Sequence, residues 1–304
     1  MGPDSARTGT LVPEAADALK DGHASGRPGV FAFWRAATPE ARRSLVAAGL
    51  GWMLDSFDVM LYALVLATLI RELGMTTTTA GLLGSLTLVA SAAGGLIFGI
   101  VADRYGRTRA LIWSVLIYSV FTAACGFAQT VAQLAIFRVC LGLGMGGEWA
   151  SGAALVSETW PAEHRGKALG LMQSAWAIGY GLAAIVTALV LPRWGWRAVF
   201  FVGILPAFFT LWIRRRVPEP AIWKAVQHTP SHARGSLAEI FRRPVRRLTL
   251  TVTLMNAFTM FAWWGFNLWI PGYLSLPPER GGIGLSATEM SGLVVAMQVG
   301  MWFG

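Results

Sequence analysis

From residue 45 onward, apolar residues fall in long blocks separated by short polar or basic stretches. A helix crossing the hydrocarbon core of a bilayer needs about 20 mostly apolar residues. Runs of that kind recur near 45–69, 80–102, 109–129, 131–155, 167–191, 196–213 and 248–274, and an eighth opens near 287. The third and fourth runs are separated only around Gln129 and Thr130, which predicts a tight antiparallel hairpin. The pattern predicts an all-α multispanning membrane protein held in a lipid bilayer. Residues 1–29 differ: they are polar, rich in Gly, Pro, Ala and Asp, and lack the short apolar core of a signal peptide. They are expected to form a disordered tail. Residues 30–37 (VFAFWRAA) suit a short interfacial helix carrying Trp34 at headgroup level.

Charge refines this picture. Only 13% of the 304 residues are charged, against about 25% in soluble domains. A net charge of +9 would suggest nucleic acid in a soluble protein, but here the bases sit between apolar spans. With the N-terminus inside, the opposite face carries only Arg71, Arg193, Arg197 and Arg280, and Arg138 lies within a span. The rest of the 25 Lys and Arg residues fall on the cytoplasmic side. That asymmetry predicts a multi-pass protein of the cell (inner) membrane with a cytoplasmic N-terminus, and no nucleic-acid partner. The basic segment 214–247 is then a cytoplasmic linker facing lipid headgroups. Cys125 and Cys140 both fall in spans, and His23, His164, His228 and His232 all fall in the tail or loops. No metal-ligand cluster and no G-x-x-x-x-G-K-[ST] phosphate loop is present in the sequence, so no cofactor, no ATP-driven step and no enzyme activity is expected.

The polar residues inside the spans carry the chemistry. A charge at the centre of a membrane helix costs roughly 2.5–3.5 kcal/mol on insertion scales. Asp55 and Asp58 pay that cost on the first span, three residues apart and on one helix face. Arg138 and Glu148 lie on the fourth. With a rise of ~1.5 Å per residue in antiparallel helices, Asp58 and Arg138 differ by ~6 Å in depth, and Asp55 and Glu148 by ~4.5 Å. Both pairs are within side-chain reach if the two spans are neighbours around a cavity. Asp55, Asp58, Arg138 and Glu148 are therefore the expected proton-coupling set, with static ion pairing between helices as the alternative. Glu148 points ~80° away from Arg138 around the helix, so helix bridging stays open for it. Asn256, Met260, Trp263 and Asn267 share one face of the seventh span. Together with Tyr62, Arg138, Gln173 and Trp176, the residues Asn256, Trp263 and Asn267 form the expected substrate-binding set. Trp264 and Trp269 suit the bilayer interface. Gly94, Gly95, Gly99, Gly142, Gly144, Gly146 and Gly147 are expected at helix contacts, with Gly95 and Gly99 forming a small-residue stripe.

Three signatures carry a family resemblance. Gly99-Ile-Val-Ala-Asp103-Arg104-Tyr-Gly106-Arg107-Thr-Arg109 resembles the loop 2–3 motif G-x-x-x-D-R-x-G-R-[RK] of the major facilitator superfamily. Arg138-Val-Cys-Leu-Gly142-Leu-Gly144 resembles its fourth-span R-x-x-x-G-x-G. The run from Gly146-Gly147-Glu148-Trp149 through Glu158-Thr-Trp-Pro161-Ala-Glu-His-Arg165-Gly166-Lys167 to Gln173-Ser-Ala-Trp176 is similar to the branch of sialate:proton and aromatic-acid:proton symporters, as is the D-x-x-D of Asp55 and Asp58. Residues 80–99 and 290–304 also echo one another, as duplicated transporter halves do.

The resemblance implies a major facilitator fold: a tail over 1–43, a complete N-terminal six-helix bundle over 44–213, the linker 214–247, and the start of a C-terminal bundle over 248–304. Twelve spans are implied, and the sequence ends inside the eighth. The first and fourth spans are implied to line a central path. The implied activity is secondary active transport, proton-coupled symport of a small organic anion by alternating access, by a monomer. Asp103, Arg104, Arg107, Glu158 and Arg165 are implied to close a cytoplasmic gate through salt bridges. The rival readings are a proton-driven exporter, a membrane-embedded sensor or binding component, and an inactive fragment. Exporters of the family carry G-x-x-x-G-P-x-x-G on the fifth span; Trp176-Ala-Ile-Gly179-Tyr-Gly181-Leu-Ala-Ala184 has no proline after a glycine, which favours import.

Overall fold

The structure, a computed structural model, describes residues 32–227 and 241–303. The expectation of a disordered tail falls on residues 1–31, outside the described residues, and so does the middle of the basic linker. A short helix, α1 (Ala32–Ala36), lies where the interfacial helix was expected. The first three spans are α2 (Pro39–Glu72), α3 (Thr77–Tyr105) and α4 (Arg107–Cys125), and the fourth is α5 (Val131–Thr159). The next is α6 (Ala162–Val202), followed by α7 (Leu205–Arg216) and α8 (Ala221–Gln227). Then come α9 (Arg246–Ser275), a 3-10 turn at Pro278–Arg280, and α10 (Ala287–Phe303). No strand occurs among the described residues.

Local chemistry sets the helix ends. Thr38, Thr76 and Thr130 cap α2, α3 and α5 by accepting the N–H of Ala41, Thr79 and Gln133. The fifth and sixth spans run on as one helical stretch broken at Gly195, whose φ of 74° and ψ of 177° are not helical; only glycine takes such a φ without strain. Beyond the break the chain returns along α4. Trp196 Nε1 donates to Glu72 at 2.7 Å, and the rings of Phe127 and Phe201 lie 4.7 Å apart. At the other end of α7, Glu219 reaches the start of α4. Third and sixth spans are thus antiparallel neighbours.

Among the described residues, helical segments long and apolar enough to cross a membrane are Pro39–Glu72, Thr77–Tyr105, Arg107–Cys125, Val131–Thr159 and Ala162–Thr210, the last holding two of the expected spans. Helix α9 has 30 residues, or ~45 Å. It has the length but falls short in apolarity, because Asn256, Asn267 and its threonines and tryptophans dilute the aliphatic run. Helix α10 has 17 described residues.

α2 is the central element. It packs on α5, α6 and α9, and 78% of its most apolar stretch is buried, against 28% for α3. α3 turns Leu82, Val89, Leu96 and Ile100 outward, the surface expected against lipid. Glycines let the helices meet. A Cβ on Gly94 would collide with the Leu143 carbonyl, and one on Gly146 with the Ser91 carbonyl, so α3 and α5 touch backbone to backbone. Of the stripe expected at Gly95 and Gly99, Gly95 does meet the Gly146 backbone, alongside the contacts of Gly94 and Gly142, and Gly99 is the correction. Gly99 has no described atom near its missing side chain, because it lies on a different face of α3 from Gly94.

Candidate functional site

The ionisable residues of the membrane interior gather on α2 and α5, but not in both pairs that depth predicts. Asp55, Asp58 and Glu148 are each exposed by 1% or less. Asp55 lies close enough to both other acids to interact with each electrostatically. Gly51 of α2 makes the space for Glu148, since a Cβ there would strike the Glu148 carboxylate. Tyr118 of α4 is fully buried among the three acids, and its hydroxyl has no hydrogen-bond partner among the described residues. Both oxygens of Asp58, both of Glu148 and Oδ2 of Asp55 also lack partners there. Thr122 lies beside Asp58, yet its hydroxyl donates to the Tyr118 carbonyl at 2.8 Å. No described Lys, Arg or His forms an ion pair with any of the three acids.

Arg138 is the correction. It does not pair with Asp58. Its guanidinium carbon lies 3.7 Å from the centre of the Tyr62 ring, and its Nε donates to the Thr87 hydroxyl at 2.9 Å. Its Nη1 has no acceptor among the described residues. Tyr62 is fixed in turn by its hydroxyl, which donates to the Ala80 carbonyl at 2.8 Å. The physical reason is azimuth. Depth compared heights along two helices, but α5 packs against α3 as well as α2, and Arg138 turns towards α3. A cation–π contact and one hydrogen bond hold it in place of a carboxylate.

Beside the acid group lies a cavity of about 360 Å³ between α2, α6, α9 and α10, within the ~300–1,000 Å³ range of small-molecule sites. Its walls are mainly indoles: Trp52, Trp176, Trp263, Trp264 and Trp302. Ring centres are 4.8 Å apart for Trp52 and Trp176, 5.3 Å for Trp176 and Trp263, and 5.1 Å for Trp263 and Trp264. Trp149, next to Glu148, extends the cluster 6.5 Å from Trp52. The helices are locked here by Ser56, whose hydroxyl donates to the Trp176 carbonyl at 2.8 Å, and by Gly179, where a Cβ would strike the Met53 carbonyl. Gln173 and Ser174 add the polar lining, and no lining residue is charged.

The expected substrate-binding set therefore divides. Gln173, Trp176 and Trp263 line the cavity. Tyr62 and Arg138 sit together elsewhere. Asn267 is behind the wall, its Nδ2 donating to the Trp263 carbonyl at 3.0 Å. Asn256 is exposed and outside the lining. Helical spacing put Asn256 on the Trp263 face, but the N-terminal half of α9 is largely exposed among the described residues, while its C-terminal half is partly buried. Trp264, expected at the bilayer interface, is in the cavity wall, and Trp269 packs on Gly81 of α3. Trp52, Trp149, Trp302, Tyr118 and Thr87 were not singled out. A tryptophan one turn before Asp55, on the same helix face, was the available signal for Trp52.

At the cytoplasmic-motif end, Arg107 Nη1 lies 2.6 Å from Asp103, close but not aligned as a hydrogen bond. Arg107 also grips Glu158 through Nη2 at 2.7 Å and Nε at 3.0 and 3.2 Å. Arg104 instead lies 5.7 Å from the Tyr105 ring, and Arg165 is exposed with no described ion-pair partner. Two residues join unforeseen. Glu219 accepts the N–H groups of Thr108 and Arg109 at 3.1 Å, and Trp223 Nε1 donates to the Asp103 carbonyl at 3.0 Å.

Comparison with known proteins gives this arrangement a context. The model of the Major Facilitator Superfamily matches residues 24–304. A probable 4-methylmuconolactone transporter of Cupriavidus pinatubonensis is 36% identical over 250 residues, covering 81% of this chain and 58% of that one. The sialic acid transporter NanX of Escherichia coli is 34% identical over 244 residues, covering 80% and 60%. Among solved structures, a bacterial homologue of the human lysosomal transporter Spinster, inward-facing and unoccupied, matches with a TM-score of 0.66 at 21% identity, over 88% of this chain and 62% of that one. The chain spans about three-fifths of the length of these relatives.

Proposed function

This chain belongs to the major facilitator superfamily; from that premise we propose that the full-length protein is a membrane transporter, not an enzyme, and carries a small organic acid across the cell membrane in symport with protons. The reading includes a cytoplasmic N-terminus, a monomer, an N-terminal bundle over 44–213, a linker over 214–247 and a second bundle from 248. Relatives named for 4-methylmuconolactone and sialic acid support the substrate class.

The observation that carries proton coupling is the group of three buried acids without a counter-ion among the described residues. A buried unpaired charge costs several kcal/mol, and a proton taken up by the carboxylate removes that cost. Alternating access would offer these acids first to one side and then to the other, so loading and release of the proton accompany the rocking. Trp52, one turn before Asp55 on α2, lines the cavity, which supports a link between the coupling group and the ligand. Arg138, held by Tyr62 and Thr87, acts in this reading as a fixed positive charge near the path and not as the partner of Asp58. Asp103, Arg107 and Glu158 form the cytoplasmic gate, with Arg104 and Arg165 at its margin. The absence of an exporter-type glycine–proline pair on the fifth span favours uptake.

The test uses the full-length protein in proteoliposomes with an imposed inward proton gradient and a panel of organic acids. The parent accumulates its acid above equilibrium. Asp58→Asn keeps counterflow exchange and loses the accumulation. Equal gradient-driven accumulation by parent and variant would reject coupling through this residue.

A further inference from the structure

The contacts between α2 and α5 keep one antiparallel register. Trp160 Nε1 donates to the Ala41 carbonyl at 2.8 Å, a Cβ on Gly152 would touch Ala48, Gly51 makes room for Glu148, and Arg138 lies over the Tyr62 ring. That register sets Asp55 and Asp58 opposite residues 142–145 of α5. Helix α4 meets α5 at the same height. The Ser114 hydroxyl donates to the Gly144 carbonyl at 2.7 Å, and a Cβ on Gly144 would strike the main chain at Tyr118. Helical side chains lean towards the N-terminus of their own helix. Asp55 and Tyr118 therefore lean from this level towards Glu148, and Glu148 leans towards them. The group belongs to α2, α4 and α5, whereas α9 and α10 join the bundle mainly through α2 and α6.

Tyr118 is the uncharged member of this group. Its hydroxyl is buried and has no partner among the described residues. Asp55 and Asp58 face it from α2, and Glu148 from α5. The other helices packed on α4 bring no charge to it. The ionisable residues of α3 and α7 lie at their ends. Those of α6 lie near its ends and at the Gly195 break, apart from Tyr180, whose hydroxyl donates to the Asn267 carbonyl at 3.3 Å. Cys125 is two turns further along α4, and Arg138 is at the level of Tyr62.

A phenol suits this place as a guanidinium does not. Arginine only donates and is always charged. A tyrosine hydroxyl accepts from a protonated carboxyl group and donates to an ionised one. It is a far weaker acid than a carboxyl group, so it keeps its own proton in both states. Of the two hydrogen bonds, the one to the ionised form is the stronger.

We propose that Tyr118 is a positioning residue for proton coupling, its hydroxyl turning from acceptor to donor as the acid group gives up its proton. The proton that moves is the carboxyl's. It passes to water on the side then open and leaves a carboxylate that takes the Tyr118 O–H as donor, while the tyrosine loses nothing. The inference rests on the proposed proton coupling and assigns it a residue on a helix that carries none of the acids.

Infrared difference spectra of the full-length protein in liposomes test this by following the C=O band of protonated carboxyl groups as pH rises. Asp55→Asn, Asp58→Asn and Glu148→Gln identify the band. In the parent, its loss is accompanied by a change in a tyrosine C–O band. In Tyr118→Phe that tyrosine signal is absent, and the carboxyl group stays protonated to a pH about one unit higher, because the ionised form has lost its better hydrogen bond. Phenylalanine fills the same space, so a tyrosine that only packs leaves the midpoint where it was. Carboxyl deprotonation without a tyrosine signal in the parent, an unmoved or lowered midpoint in a folded Tyr118→Phe, or a carboxyl band indifferent to pH overturns the proposal. The signal in the parent decides the matter even where the variant does not fold. The two readings fail separately. A shifted titration in a protein that does not accumulate its acid under a proton gradient leaves the tyrosine–carboxyl switch standing and removes coupling. Accumulation that Asp58→Asn abolishes, with Tyr118→Phe titrating like the parent, does the reverse.

Discussion

The same residue types are treated in opposite ways at the membrane edge and in its interior. At the edge, Asp103, Arg107 and Glu158 are paired across 2.6–2.7 Å. In the interior, three acids cluster without a base among the described residues, and Arg138 is held by an aromatic ring and a hydroxyl. The difference follows from what each place can supply. The edge is partly wet, so an ion pair there is cheap to form and to break, and it gains value as a network that exists in one conformation and not in another. The interior is dry, so an unpaired charge there is costly and its state of protonation is tied to whether water reaches it. Paired groups can act as a latch; unpaired groups can act as a carrier.

The largest expected effect breaks the interior half of the comparison. Asp55→Asn and Glu148→Gln each substitute a neutral group of the same shape where no cation is left stranded. Folding stability should stay within about 1 kcal/mol of the parent, while gradient-driven accumulation falls to the equilibrium ratio. Thermal unfolding and proteoliposome uptake, measured on the same preparations, check the two halves. A variant that unfolds early and still couples would show the acids to be structural. The next effect is at the edge and has the opposite signature. Glu158→Gln removes the charge-assisted, two-nitrogen grip of Arg107 and should shift the conformational equilibrium by about 1–2 kcal/mol, a five- to thirtyfold change in population. Labelling of a cysteine placed in the cytoplasmic half of the path should rise accordingly, with coupling intact. Asp103→Asn should do far less, a few tenths of a kcal/mol, because the Asp103 side chain is 73% exposed.

How far the sequence carried this picture depended on whether a feature is periodic, local or azimuthal. The spans were legible because a bilayer demands runs of fixed length, and the break at Gly195 falls between the two runs expected there. Asp55 and Glu148 were legible as neighbours because two antiparallel helices share a depth scale. Arg138 was not, since its direction is decided by α3, which enters through the contacts of Gly94 with Leu143 and of Gly146 with Ser91 and not through any spacing on α5. The cavity was half legible. Trp176 and Trp263 share a wall with Trp264, which an indole-at-the-interface rule sends to the headgroups, and with Trp52, which sits among more conspicuous aspartates. Asn256 has the helical phase of a lining residue but lies in the exposed N-terminal half of α9. Glu219 lies 111 residues from the N–H it accepts, a separation that no local pattern can announce.

Glu219 also gives the smallest of the expected effects. Helix α4 begins after Gly106, whose φ of 117° makes the turn from α3 and which has no side chain to cap the first N–H groups. A helix start left without an acceptor loses about 1 kcal/mol. Glu219, arriving from beyond α7, supplies the missing acceptor to Thr108 and Arg109 and sets a negative charge at the positive end of the helix dipole. It is thus a third mode of placing a charge, between the paired edge and the unpaired interior: an ion satisfied by backbone dipoles. Glu219→Gln keeps one oxygen acceptor and removes the charge, so stability should fall by only about 0.5–1 kcal/mol. Glu219→Ala removes both and should cost about 1–2 kcal/mol. Thermal unfolding of the two variants side by side separates cap from charge. If Glu219→Gln costs as much as Glu219→Ala, the charge dominates, and the carboxylate belongs with the ion pairs of Arg107. If the glutamine is nearly silent, Glu219 is a cap, and the edge network ends at Glu158.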